Sequence, residues 1–143
     1  MKPAGQHAEC LVRIPADGVT LEGALEIPDR ASGLVLFAHG SGSSRFSPRN
    51  NFVARELRRA GLATVLIDLL TRDEDQDYQT RFDIPLLTQL LVAVAQWLTT
   101  QAETRTLALG LFGASTGAAA ALQAAAALPE TIKAVVSRGG RPD

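Results

Sequence analysis

Cysteine is nearly missing from this chain: Cys10 stands alone in 143 residues. No intramolecular disulfide can form, which fits a reducing compartment, and Cys10 reads as a buried or edge small hydrophobe at the start of a strand. Histidine is almost as scarce, with only His7 and His39; His7 lies in a polar stretch and reads as a surface residue. An excess of either charge is lacking too. Fourteen basic and 15 acidic residues leave a formal net charge of -1, so nothing recruits nucleic acid or an anionic membrane. Long apolar runs are absent: the stretches around Leu86 to Leu98 and Leu107 to Leu111 are interrupted or too short to span a bilayer. The opening MKPAGQHAEC has no apolar core of the kind a secretory signal needs. The expectation is a cytoplasmic protein without a membrane partner.

What is present is ordinary globular material, 46% hydrophobic and 20% charged, in one domain's length. Residues 1–143 are therefore expected to form a single domain. His7 to Ile14 and Val19 to Ile27 read as two strands joined by Pro15-Ala16-Asp17-Gly18. In the second, Leu21, Gly23, Leu25 and Ile27 alternate with more polar neighbours, the period of a half-exposed antiparallel strand. Leu34 to Ala38 is continuously apolar, as a parallel strand covered on both faces requires. Ser47-Pro48 opens a helix whose apolar stripe is Val53, Leu57 and Ala60, with Arg55, Glu56, Arg58 and Arg59 facing water and Gly61 ending it. Leu62 to Leu69 is a second buried strand that leaves Asp68 at its carboxyl end, where it could orient a histidine or tie down the adjoining loop. Asp83 and Pro85 begin a helix with Leu87, Leu90, Leu91, Val94, Trp97 and Leu98 on its buried face.

Residues 71–81, TRDEDQDYQTR, are acidic surface material at the substrate end of the sheet. They lack the glycine and terminal glutamate of a calcium loop, so no metal is expected. Arg72 from this stretch could receive an anionic substrate group or form a rim salt bridge with Asp73, Asp75 or Asp77. Gly40 to Ser44 has small residues but not the G-x-G-x-x-G order, and no Walker lysine follows, so no nucleotide cofactor is expected either.

The chain is organised around Leu107 to Leu122, LALGLFGASTGAAAAL. Thr106 to Phe112 reads as a strand, Thr116 to Leu128 as an alanine-rich helix, and between them lies Gly113-Ala114-Ser115-Thr116-Gly117. This is a G-x-S-x-G nucleophile elbow in its required strand-turn-helix setting. The pattern has a steric reason: a side chain at Gly113 or Gly117 would strike the neighbouring strand or helix backbone. Ser115 is thereby pushed out at the carboxyl end of the sheet, beside N–H groups of the helix start that have no intrahelical partner. Ile132 to Val136 is one more strand, and Ser137 to Asp143 leaves it as a loop on the same end. The resulting fold class is α/β, a mostly parallel sheet with helices on both faces and an antiparallel entrance. The strands ending at His39, Asp68, Ser115 and Arg138 would be neighbours around one crevice.

Three landmarks in order, Leu36 to Ser44, Gly113 to Gly117 and Ser137 to Asp143, resemble the α/β-hydrolase fold and in particular its dienelactone-hydrolase-like branch. The resemblance covers essentially the whole chain. It implies Ser115 as nucleophile, with the N–H groups of Thr116 and Ser41 as oxyanion donors. His39, with Gly40, would shape the loop that carries Ser41; Arg72 and Arg138, placed by their own stretches at the same end of the sheet, are further candidates for substrate contact. It also implies hydrolysis of a small-molecule carboxylic ester, lactone or thioester without cofactor or metal. In that family the acid and histidine follow later strands, whereas here no histidine follows His39. The chain thus resembles the first two-thirds of a hydrolase. Base and acid would come from a C-terminal segment or second chain of roughly 70 residues. A homo-oligomer, at its simplest a dimer, could instead cover the open sheet edge. The rival expectation is a catalytically inactive binding protein, or a non-functional fragment, that keeps the fold.

Overall fold

The computed structural model describes residues 10–16, 18–38, 47–68, 84–114 and 116–138. Its strands are β1 (Cys10–Ala16), β2 (Val19–Glu26), β3 (Gly33–Ala38), β4 (Leu62–Ile67), β5 (Ala108–Ala114) and β6 (Ile132–Arg138), and its helices α1 (Pro48–Arg59), α2 (Ile84–Leu98) and α3 (Thr116–Ala127). They build one six-stranded sheet in the order β1-β2-β4-β3-β5-β6. The β1–β2 hairpin enters antiparallel and β2 pairs antiparallel with β4, while β4, β3, β5 and β6 run parallel. The described strands thus form the mostly parallel sheet, with an antiparallel entrance, of an α/β-hydrolase architecture.

The alternation in β2 places Leu21, Gly23 and Leu25 inward, as its sequence period predicts. β1 runs further than its sequence suggests, through Pro15 to Ala16, with Pro15 level with Thr20. Among the described strands β1 lies at the sheet's edge, where a residue without an N–H fits. Cys10 opens this edge strand and is exposed. The two apolar runs become central strands. In β3 and β4, Leu34, Leu36, Phe37, Val65 and Ile67 are at most 2% exposed.

Each face of the sheet has its own core. On one side α2 and α3 close over Leu34, Leu36, Val65, Leu109, Leu111 and Ile132 with Leu87, Leu91, Val94 and Leu98. On the other, α1 sets Ala54 against Phe37 and Leu66, with Phe112 at the margin and its ring centroid 5.1 Å from that of Phe37. The tight approach of α3 rests on its composition: Ala118, Ala120, Ala121 and Ala124 are fully buried. Among the described residues no helix is long and apolar enough to cross a membrane.

α1 begins as its sequence indicates, with Ser47 Oγ accepting from the Asn50 N–H at 3.3 Å and Pro48 in the first turn. Two details differ. Its buried residues are Asn50 and Ala54, whereas Ala60 is exposed at the C-cap, because the helix ends where Gly61 adopts φ +92°. Nor does Arg58 face water. Its Nε lies 3.1 Å from Glu26 Oε2, and its Nη1 donates to Thr64 Oγ1 at 2.8 Å, a hydroxyl on a fully buried residue of β4. One guanidinium therefore ties α1 to β2 and β4. Arg58→Met is expected to lower stability by about 2 kcal/mol in urea unfolding, since it removes the cation facing Glu26 and the donor to Thr64 together. Arg55→Met, on the exposed face, should stay within about 0.5 kcal/mol.

The connection after α2 also carries an unforeseen lock. Thr104 is 3% exposed, and its hydroxyl donates to the Leu98 carbonyl at 2.6 Å, satisfying one of the open carbonyls at the helix end. Thr104→Val keeps the shape and loses that bond, and a stability loss of about 1 kcal/mol is expected in the same assay.

Candidate active site

Three of the four parallel strands extend to a common row. Phe37 is level with Leu66 and with Phe112, and Ala38 with Gly113; Gly113 and Ala114 continue to Ser137 and Arg138. The carboxyl ends of β4, β3, β5 and β6 therefore stand side by side, each about 4.8 Å from the next. This is the end at which open α/β sheets hold their ligands. The sequence expectation that the positions after Ala38, Ile67 and Ala114 and the end of β6 are neighbours agrees with this order. β5 and β6 both run two residues beyond their expected ends, each supplying the other's pairing partner.

The sharpest feature is the passage from β5 to α3. The strand ends at Ala114 and the helix begins at Thr116, so a single residue, Ser115, separates them. Gly113 is buried, and a Cβ placed on it would lie 2.7 Å from the Ala118 Cα, 2.7 Å from the Gly117 carbonyl oxygen and 3.0 Å from the Ala118 N. All three are backbone atoms, and real Cβ contacts essentially never fall below 3.0 Å, as two of these would. The helix can sit this near the strand only because position 113 has no side chain. Elsewhere in β5 the demand is weaker: a Cβ on Gly110 would meet the Ala134 carbonyl oxygen at 3.4 Å, an ordinary contact.

Thr116 is the first residue of α3, so its N–H belongs to the set that finds no acceptor within the helix. Arg138 is the last residue of β6 and is level with Ala114. Asp68 follows β4 directly; it is half-buried, and its N–H donates to the Glu22 carbonyl at 2.9 Å, which fixes the backbone where the acidic stretch departs. Ser115, His39, Gly40, Ser41 and Arg72 lie outside the described residues. Among the described residues there is no cluster of three or more His, Cys, Asp or Glu side chains suited to a metal. A groove of about 220 Å³ lined by Leu11, Val12, Arg13, Glu22 and Gly23 lies on the β1–β2 hairpin.

No family model matches the chain. It is 53% identical over 132 residues to a protein of Mycobacterium tuberculosis, known from two strains and named provisionally as a phosphoribosyl transferase. The match takes in 92% of this chain but 30% of that protein, so the chain spans less than a third of these curated relatives. Among solved structures, a dienelactone hydrolase from Anabaena variabilis superposes with a TM-score of 0.91 at 57% identity, covering 96% of this chain and 65% of its own. An esterase from Pyrococcus furiosus shares the fold at 19% identity, with a TM-score of 0.75 over 94% of this chain and 51% of its own.

Proposed function

This chain has the fold of the dienelactone-hydrolase-like α/β-hydrolases, over an N-terminal portion without the later strands, and from that premise we propose that it is the nucleophile-bearing part of a serine hydrolase. The observation that carries the reading is the one-residue passage at Ser115, with Gly113 pressed against the backbone of α3. With one residue between the strand and the helix, a serine hydroxyl there would stand beside the N–H groups of the helix start, the setting a nucleophile needs.

The substrate class is a carboxylic ester, lactone or thioester. Ser115 Oγ attacks the carbonyl carbon as its proton passes to a base, and the oxygen that becomes negative is held by the N–H groups of Thr116 and Ser41. Collapse of the tetrahedral adduct breaks the bond to the leaving oxygen or sulfur, which takes the proton and leaves an acyl-serine. Water, deprotonated by the same base, then releases the acid. His39 and Gly40 shape the loop that carries Ser41, and Arg72 and Arg138 flank the acyl group. No histidine follows His39 in the 143 residues, so base and acid come from a further segment or a second polypeptide. The name of the mycobacterial relatives describes proteins of which this chain spans 30%, and we assign no phosphoribosyl transfer to it.

The test is hydrolysis of short p-nitrophenyl esters by the chain together with the completing segment. Turnover that survives His39→Gln is expected, because His39 holds the loop and does not take the proton. Turnover abolished by His39→Gln would make His39 the base. A completed protein that binds esters without cleaving them would favour the inactive binding protein.

A further inference from the structure

We infer that the outer face of the β1–β2 hairpin, centred on the groove beside Leu11, Arg13 and Glu22, is the docking surface for a further domain, of the size that the mycobacterial relatives carry beyond a hydrolase. The partner presents an apolar side chain to the groove and a carboxylate to Arg13.

The registers define this face. Leu11 is level with Ala24 and Arg13 with Glu22, while Ala24 is level with Leu66 and Glu26 with Thr64. Level residues of neighbouring strands share a face, so Leu11, Arg13, Glu22 and Ala24 lie on the side of the sheet where α1 covers Leu66. That cover stops short of the hairpin. Arg13 and Glu22 are exposed, and Leu11, at 69%, is the most exposed large apolar side chain among the described residues. The opposite face is closed, with Ile14, Ala16, Leu21 and Leu25 buried in the core that α2 helps to build.

The chemistry is that of a contact between domains. Such contacts are more polar than those of permanent oligomers, and here one apolar side chain borders a groove of about 220 Å³ that a cation and an anion also line. Arg13 forms no ion pair with any described residue, so a carboxylate brought to it displaces no internal partner there.

Length selects the occupant. The 132 matched residues are 30% of the mycobacterial protein, which is therefore about 440 residues long (132/0.30). The Anabaena hydrolase has about 210 residues, because 96% of these 143 residues covers 65% of it. A hydrolase of that size leaves about 230 residues of the mycobacterial protein over, enough for one more domain. The hairpin is also remote from the chain that follows β6, since β1 and β6 lie at opposite ends of the described sheet, five strand spacings or roughly 24 Å apart.

The experiment places this chain in two hosts, the mycobacterial protein and the Anabaena hydrolase, in exchange for the residues it matches in each. Hydroxyl-radical footprinting reads the Leu11 side chain, and limited proteolysis reads how readily the two parts of the longer protein separate. Leu11 is expected to be oxidised at least about fivefold more slowly in the mycobacterial host than in the Anabaena host, as burial at the centre of an interface requires. Leu11→Glu and Arg13→Glu should each speed cleavage between the two parts at least about tenfold, while Leu122→Glu, on the exposed side of α3, should leave the rate as it was. Equal oxidation in the two hosts, whether Leu11 is open in both or covered in both by a second copy, would overturn the inference, as would parental cleavage rates in both hairpin variants. Ester turnover is read in parallel. Leu11 protected in a protein without turnover keeps the docking surface while the hydrolase reading fails; turnover with Leu11 equally open in both hosts does the reverse.

Discussion

Ser115→Ala is expected to abolish ester hydrolysis in the completed protein, lowering kcat by roughly ten-thousandfold to a millionfold. The size of the effect follows from the division of labour at the elbow. Without the hydroxyl no acyl-enzyme forms, and only oxyanion stabilisation and substrate positioning remain, which still leave a residual rate above that in water. Substrate affinity should change little, because the N–H of Thr116 is set by the start of α3 and not by the side chain before it. The replacement removes one oxygen atom at a turn, so unfolding free energy should move by less than about 1 kcal/mol. Steady-state kinetics beside a urea titration separate these effects. A variant that retained more than about one-tenth of parental kcat would be incompatible with a covalent serine mechanism.

Among the glycines for which a Cβ contact is described, Gly113→Ala should have the largest structural effect. The added Cβ would fall 2.7 Å from both the Ala118 Cα and the Gly117 carbonyl oxygen, and neither atom can swing aside as a side-chain tip would. Relief requires α3 to lift from β5, yet Ala118, Ala120, Ala121 and Ala124 hold it there with fully buried side chains. A loss of about 3 kcal/mol or more is expected. Where the variant still folds, activity should fall with it, because lifting the helix displaces the Thr116 N–H at its start. Gly110→Ala is the internal control. It adds the same methyl to the same strand at an ordinary 3.4 Å contact, and should cost less than about 1 kcal/mol. Equal losses for the two variants would mean that glycine is required along β5 for some reason other than the approach of α3.

Much of this fold is written locally. The apolar runs from Leu34 and from Leu62 become central parallel strands, and the alternation from Val19 becomes the half-exposed β2, because each pattern matches the number of faces its strand buries. The close approach of α3 to β5 is legible for the same reason, since the need for glycine at 113 arises within six residues, between Gly113 and Ala118. What local patterns miss is set by partners distant in sequence. Pro15 belongs to β1 because that strand lies at the edge, and β6 reaches Arg138 because β5 reaches Ala114. Arg58 looks like one more solvated cation until β2 brings Glu26 and β4 brings Thr64 to it. The site divides in the same way. Thr116 opens α3 as its sequence predicts, and Arg138, expected in the loop after β6, is the last residue of that strand, whereas Ser115, His39, Gly40, Ser41 and Arg72 fall outside the described residues.

The most direct test of the hydrolase reading is covalent labelling of the completed protein with a fluorophosphonate, followed by peptide mass mapping. A single adduct on Ser115, absent from Ser115→Ala and formed slowly or not at all by this chain without its completing segment, is the predicted result. An unlabelled Ser115 in the completed protein, or an adduct on another residue, would contradict it.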